Sequence, residues 1–193
     1  MLKQIAVLCS ALLMNLAFVG SANAQHAHAE QEIRSSGAAA SIAEMSLDFE
    51  LLNGEGEIVR RTDLLGSNLL VAFGFTYCPD VCPVMAANMA NALRHSDKDA
   101  LGVFISVDTE RDTPRVTDNY ASRFGENMMG LSGTHESVSE AAKNFNVTFV
   151  VTKTPNSYTV QHSPGTFLIS PTGELIDVFA INADPKDIAA AMQ

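Results

Sequence analysis

At 193 residues the chain is long enough for one domain with a complete core and some additional tail. Apolar residues make up 47% of it, which excludes an intrinsically disordered protein. The net charge of −10, with no long Lys/Arg cluster, argues against nucleic acid and anionic membrane surfaces as partners.

Residues 1–24 read as a signal peptide. Lys3 supplies a positive start, Ile5 to Val19 is apolar apart from Ser10 and Asn15, and Ala22-Asn23-Ala24 is a small-residue cleavage site. The apolar run falls short of the about 20 residues a spanning helix needs. Cleavage after Ala24 is therefore expected over retention as a membrane anchor. The protein is expected outside the cytoplasm, in a periplasm or its equivalent, attached to the inner membrane only if the signal stays. Cys9 would leave with the signal, and the mature chain would keep Cys78 and Cys82. Residues 25–42, rich in Ala, Ser, Gln and Glu, read as a flexible tether. His26 and His28 could bind copper loosely there, but a solvated tail with incidental histidines explains them better.

The folded domain is expected over residues 43–193. Leu47 to Leu51 alternates like a half-buried strand, Asn53-Gly54-Glu55-Gly56 is a turn, and Ile58-Val59 completes a hairpin. Thr62 to Gly66 is a short capped turn. The apolar run Leu69 to Phe75 predicts a buried strand, and Val84, Met85, Met89, Ala92 and Leu93 sit at helical spacing after it. Leu101 to Val107 predicts a second buried, parallel strand. Thr113-Pro114 reads as the start of a helix running to about Phe124. A short strand at Met129–Leu131, a helix at Ser137–Phe145 and a strand at Val147–Val151 follow. Lys153 to Ser157 reads as a loop. Thr166–Ile169 and Leu175–Phe179 are strands joined by the turn Pro171-Thr172-Gly173-Glu174, and Asp184-Pro185 starts a last helix. This order predicts an α/β protein with a thioredoxin-like fold, an added N-terminal β-hairpin, and an insertion before the last strands.

Cys78 and Cys82 fall where the central strand gives way to a helix, and first-turn N–H groups there favour thiolate. A structural disulfide is a poor explanation, because so short a loop gains little from a cross-link. Metal binding and thiol–disulfide exchange both remain. Thioredoxin-type oxidoreductases place two residues between their cysteines; here there are three, which loosens sulfur-on-sulfur attack and leaves room for a metal. His162 precedes the strand expected to run beside the cysteine loop. Two thiolates and one imidazole suit Cu(I), and the imidazole also admits Cu(II); zinc would want a fourth ligand. Met85 and Met89, one turn apart, are better explained as core than as thioether ligands. His95 and His135, near helix ends, need no function, and Met128-Met129 reads as core edge.

Tyr77-Cys78-Pro79-Asp80-Val81-Cys82-Pro83 resembles the signature of the SCO/SenC family of copper-binding proteins of cytochrome c oxidase assembly. Val107 to Pro114 resembles the second motif of that family, and Tyr158 to Pro171 its third, in the right order between about Phe49 and Phe179. The resemblance implies Cys78, Cys82 and His162 as copper ligands. It implies Asp108 and Asp112 as an acidic pair near the site, while caps for the helix at Pro114 explain them equally. It implies a copper-accepting subunit of a membrane cytochrome oxidase as partner, together with a copper donor or thiol reductant. The role would be a copper chaperone, or alternatively a thiol–disulfide oxidoreductase acting on the oxidase's cysteines. A peroxidase of the peroxiredoxin type lacks its pattern around Cys78. Gln161 stands where the family commonly has Asp before the histidine, and a carboxylate there could orient the imidazole.

Overall fold

The computed structural model describes residues 45–193, so the expected signal peptide, tether, His26 and His28 lie outside the described residues. The strands are β1 (Glu50–Leu52), β2 (Ile58–Arg60), β3 (Asn68–Gly74), β4 (Ala100–Ser106), β5 (Met128–Leu131), β6 (Phe149–Thr154), β7 (Ser157–His162), β8 (Thr166–Ile169) and β9 (Leu175–Phe179). The helices are α1 (Val81–His95), α2 (Pro114–Ala121), α3 (His135–Asn144) and α4 (Pro185–Ala190), with a 3-10 turn at Arg61–Leu64.

The central sheet has the order β5-β4-β3-β8-β9. Strands β5, β4 and β3 run parallel, and β8 and β9 close the sheet antiparallel. This is the expected thioredoxin-like α/β arrangement. Leu69 to Phe73 are all buried, because helices and loops cover both faces of β3. Helix α1 packs against α4, α2 against β5, and α3 against β1. Phe145 is the hub of an aromatic cluster, with ring centroids 5.3 Å from Phe73 and 5.2 Å from Phe167, both edge-on. Among the described residues no helix is long and apolar enough to cross a membrane.

Two elements differ from the sequence reading. The first strand begins at Glu50 rather than Leu47. Leu47 has φ +56° and donates its N–H to the Asn144 carbonyl, so the chain turns there. The alternation of buried Leu47 and Phe49 with exposed Asp48 and Glu50 records which side faces the core, not a partner strand. The expected loop at Lys153–Ser157 is instead the tip of a hairpin, with Thr154 opposite Ser157 and Phe149 opposite His162. Among the described residues, strands β6 and β7 pair only with each other.

Candidate metal centre

Strand β3 delivers the chain to Gly74 at the carboxyl end of the sheet. A Cβ there would lie 2.7 Å from a Phe104 ring carbon and 3.1 Å from Cys82 Sγ, so the missing side chain lets the sulfur sit against the strand end. Cys82 is the second residue of α1 and is 0% exposed. Cys78 lies in the preceding loop, half-buried, and its Sγ accepts the Cys82 N–H at 3.4 Å. Both are free thiols.

The two sulfurs differ in acidity. Burial alone would push Cys78 up, but bonds from the Cys82 side chain and from the N–H groups of Asp80, Cys82 and Val81 outweigh it and hold the thiol below its ordinary value. Burial pushes Cys82 up to about 12, and its contact with Cys78 adds to the rise.

His162 ends β7 with Nε2 3.6 Å from Cys82 Sγ. Its Nδ1 lies 3.2 Å from the Ser163 carbonyl, which fixes the proton on Nδ1 and turns the Nε2 lone pair toward the sulfur. Burial lowers its pKa, with a smaller opposing contribution from the Ser163 carbonyl, so the ring is neutral at neutral pH. The Phe75 ring meets it edge-on at 6.1 Å. Among the described residues no three His, Cys, Asp or Glu side chains are yet gathered tightly enough to hold an ion. The three groups meet in pairs through Cys82.

The acidic residues have separate partners. Asp112 is 1% exposed and accepts from the Thr76 N–H at 2.7 Å, the Thr76 hydroxyl at 2.6 Å and the Ser106 hydroxyl at 2.6 Å. It ties the cysteine loop to the end of β4. It does not cap α2, whose cap is Thr113. Asp108, also 1% exposed, accepts from Arg111 and from the Tyr158 hydroxyl at 2.6 Å, and caps nothing. Gln161 is exposed and lies on the face of β7 opposite His162, so its side chain does not orient the imidazole.

Met85 and Met89 are buried core, as expected. His95 Nδ1 bonds the Asn91 carbonyl at 2.7 Å near the end of α1, and exposed His135 meets the Phe149 ring edge-on at 5.9 Å. The Tyr120 hydroxyl is buried with no hydrogen-bond partner among the described residues. Sequence reasoning missed Thr76, Ser106, Arg111 and Tyr158. Arg111 lies inside the second motif, and Tyr158 precedes His162 by an even number of residues, which was a usable sign that both face the same way.

The fold and site define a class, a thioredoxin-like domain with two free thiols and an imidazole at the carboxyl end of its central strand. The chain belongs to the SCO1/SenC family, whose profile matches residues 37–193. It is 36% identical over 151 residues to the mitochondrial SCO1 homolog of Homo sapiens, a match covering 75% of this chain and 50% of the human protein. The crystal structure of Arabidopsis thaliana ScoI with copper bound superposes with a TM-score of 0.69 at 32% identity, covering 74% of this chain and 92% of that one. BsSco, a Sco family cytochrome c oxidase assembly protein in which a disulfide switch has been identified, matches with a TM-score of 0.58 at 27% identity, covering 75% and 89%.

Proposed function

We propose that this protein is an extracytoplasmic copper chaperone that holds Cu(I) or Cu(II) through Cys78, Cys82 and His162. It would deliver the ion to the copper-accepting subunit of a membrane cytochrome oxidase. The observation that carries the reading is the imidazole Nε2 facing Cys82 Sγ at 3.6 Å, with Cys78 Sγ against the same residue's N–H. Two soft sulfurs and one imidazole form a set that accepts both copper oxidation states. Copper-bound relatives of this fold support it. Half-buried Cys78 would have to turn toward the ion, whereas Cys82 and His162 are already neighbours. The aspartates act behind the ligands, with Asp112 fixing the cysteine loop and Asp108 fixing Arg111. The expected signal peptide would carry the domain out of the cytoplasm.

A second reading, thiol–disulfide exchange, is favoured by the acidity difference between the sulfurs. The Cys78 thiolate would attack one sulfur of a partner disulfide, forming a mixed disulfide and releasing the partner's other sulfur as a thiolate. Cys82, giving up its proton, would then attack Cys78 Sγ and release the first sulfur as the second thiol. The partner gains two electrons as this pair becomes a disulfide. The disulfide switch in BsSco supports it.

Copper loading of the reduced protein tests the first reading. Stoichiometric binding with a thiolate-to-Cu(II) absorption band is expected, lost in Cys78→Ala and Cys82→Ala and weakened with lower affinity in His162→Ala. Unchanged affinity and stoichiometry in His162→Ala would overturn the ligand set. Rapid reduction of a partner disulfide without copper affinity would favour the second reading.

A further inference from the structure

We propose that Arg111 is a positioning residue, clamping the His162 hairpin to the cysteine loop and so setting how the imidazole approaches an ion held by the thiols. The inference rests on the ligand set proposed above.

The need for a clamp follows from the topology. The hairpin β6–β7 shares no ladder with the central sheet, so apart from the short link from His162 to β8 it is side-chain contacts that set His162 relative to the cysteines. Along β7, Tyr158, Val160 and His162 face the body of the domain, while Ser157, Thr159 and Gln161 are exposed. Whatever holds Tyr158 therefore holds the face that carries His162.

Arg111 holds it from two directions. Its guanidinium carbon lies 4.1 Å from the centre of the Tyr158 ring, on the hairpin, and 5.0 Å from the centre of the Tyr77 ring, next to Cys78. A single cation thus stacks against one ring from each half of the site. Asp108 fixes that cation, since both Nε and Nη2 of Arg111 donate to its Oδ2. The other carboxylate oxygen takes the Tyr158 hydroxyl, closing a ring of contacts among Asp108, Arg111 and Tyr158. Asp108 is itself seated by its N–H, which donates to the Ser106 hydroxyl at 3.2 Å; that hydroxyl in turn donates to Asp112, the anchor of the cysteine loop.

Neutralising a buried carboxylate is the simpler role for Arg111. It does not explain why the cation lies between two rings on separate elements. It also leaves Tyr77 unexplained, an aromatic side chain 65% exposed beside a reactive sulfur. The geometry uses properties that lysine lacks, a planar group that stacks by its faces while its edge donates in a fork.

The test compares Arg111→Gln, Arg111→Lys, Tyr158→Phe and Tyr77→Leu with the parent and His162→Ala. The readouts are copper affinity by chelator competition and the imidazole-nitrogen coupling in the electron paramagnetic resonance of the Cu(II)-loaded protein. Arg111→Gln is expected to lower affinity by about 10- to 100-fold and to weaken the nitrogen coupling toward that of His162→Ala, with the thiolate absorption band retained. Lysine is expected not to restore the coupling. Tyr158→Phe, which removes one hydrogen bond to Asp108, and Tyr77→Leu at an exposed position are expected to shift the same signal less. Parent-like coupling in Arg111→Gln, full rescue by lysine, or no shift in both tyrosine variants would overturn the clamp. A parent-like His162→Ala would instead overturn the ligand set itself.

Discussion

Cys78 and Cys82 are four residues apart, yet one sulfur is half-buried in the loop and the other is sealed beneath Gly74. Alkylation of the metal-free protein should therefore be selective. Reactivity follows the thiolate fraction, which rises with pH through the titration of Cys78, below the ordinary value of 9.0. Cys82, pushed up to about 12, stays protonated and shielded across that range. Peptide mass mapping after iodoacetamide treatment between pH 6 and 9 is expected to show label on Cys78, increasing with pH, and none on Cys82 until the protein is denatured. Equal labelling of both would contradict the burial of Cys82. At this scale much was legible in the sequence, because sulfur and imidazole advertise their chemistry wherever they stand. Arg111 did not, since its role depends on rings brought to it from two other segments.

The cysteine loop is a short element whose shape depends on a single buried carboxylate. Asp112 receives two bonds from Thr76 and one from Ser106 on its two oxygens, and an amide keeps only one of those acceptors, so the bonds at the other oxygen must be given up or reversed. Asp112→Asn is expected to destabilise the domain by about 2 kcal/mol in urea unfolding, a value appropriate to bonds made to a charged acceptor. Thr113→Ala, which removes only the cap of α2, should cost about 1 kcal/mol. If the two variants cost the same, Asp112 is no more than a helix-end residue. The sequence made the helix start visible through Thr113-Pro114, but could not separate cap from anchor, since Asp suits both positions. The hairpin β6–β7 was half legible for a related reason. Val150 and Val151 announce a strand, whereas Lys153 to Ser157 contains Pro155 and polar residues that suggest a loop. Strand β7 carries the period-2 signal in Tyr158, Val160 and His162, hidden by the Thr and Gln between them.

Across the whole molecule, the proposed site joins parts that no strand ladder joins. Cys82 belongs to α1 and Cys78 to the loop after β3, inside the central sheet's own packing; His162 belongs to a hairpin paired only with itself. The order of strands and helices, and with it the thioredoxin-like frame, followed from apolar runs that are long and continuous because β3 and β4 are buried on both faces. The separateness of the hairpin had no such signature, since nothing in a strand's own residues states which neighbour it lacks. Copper bound across the two parts would act as a cross-link on an element that no ladder ties to the sheet. At free copper 100-fold above the dissociation constant, mass action should stabilise the folded state by about 2.7 kcal/mol. Its local distribution is the informative quantity. Amide hydrogen exchange on the loaded and metal-free protein is expected to show the largest added protection in β6 and β7, and little change in β3 and β4, which are buried at the centre of the sheet. His162→Ala, which leaves the cysteines to hold the ion, should abolish the gain in the hairpin while keeping that in the cysteine loop. Protection added evenly over the domain would mean that copper does not bridge the sheet and the hairpin.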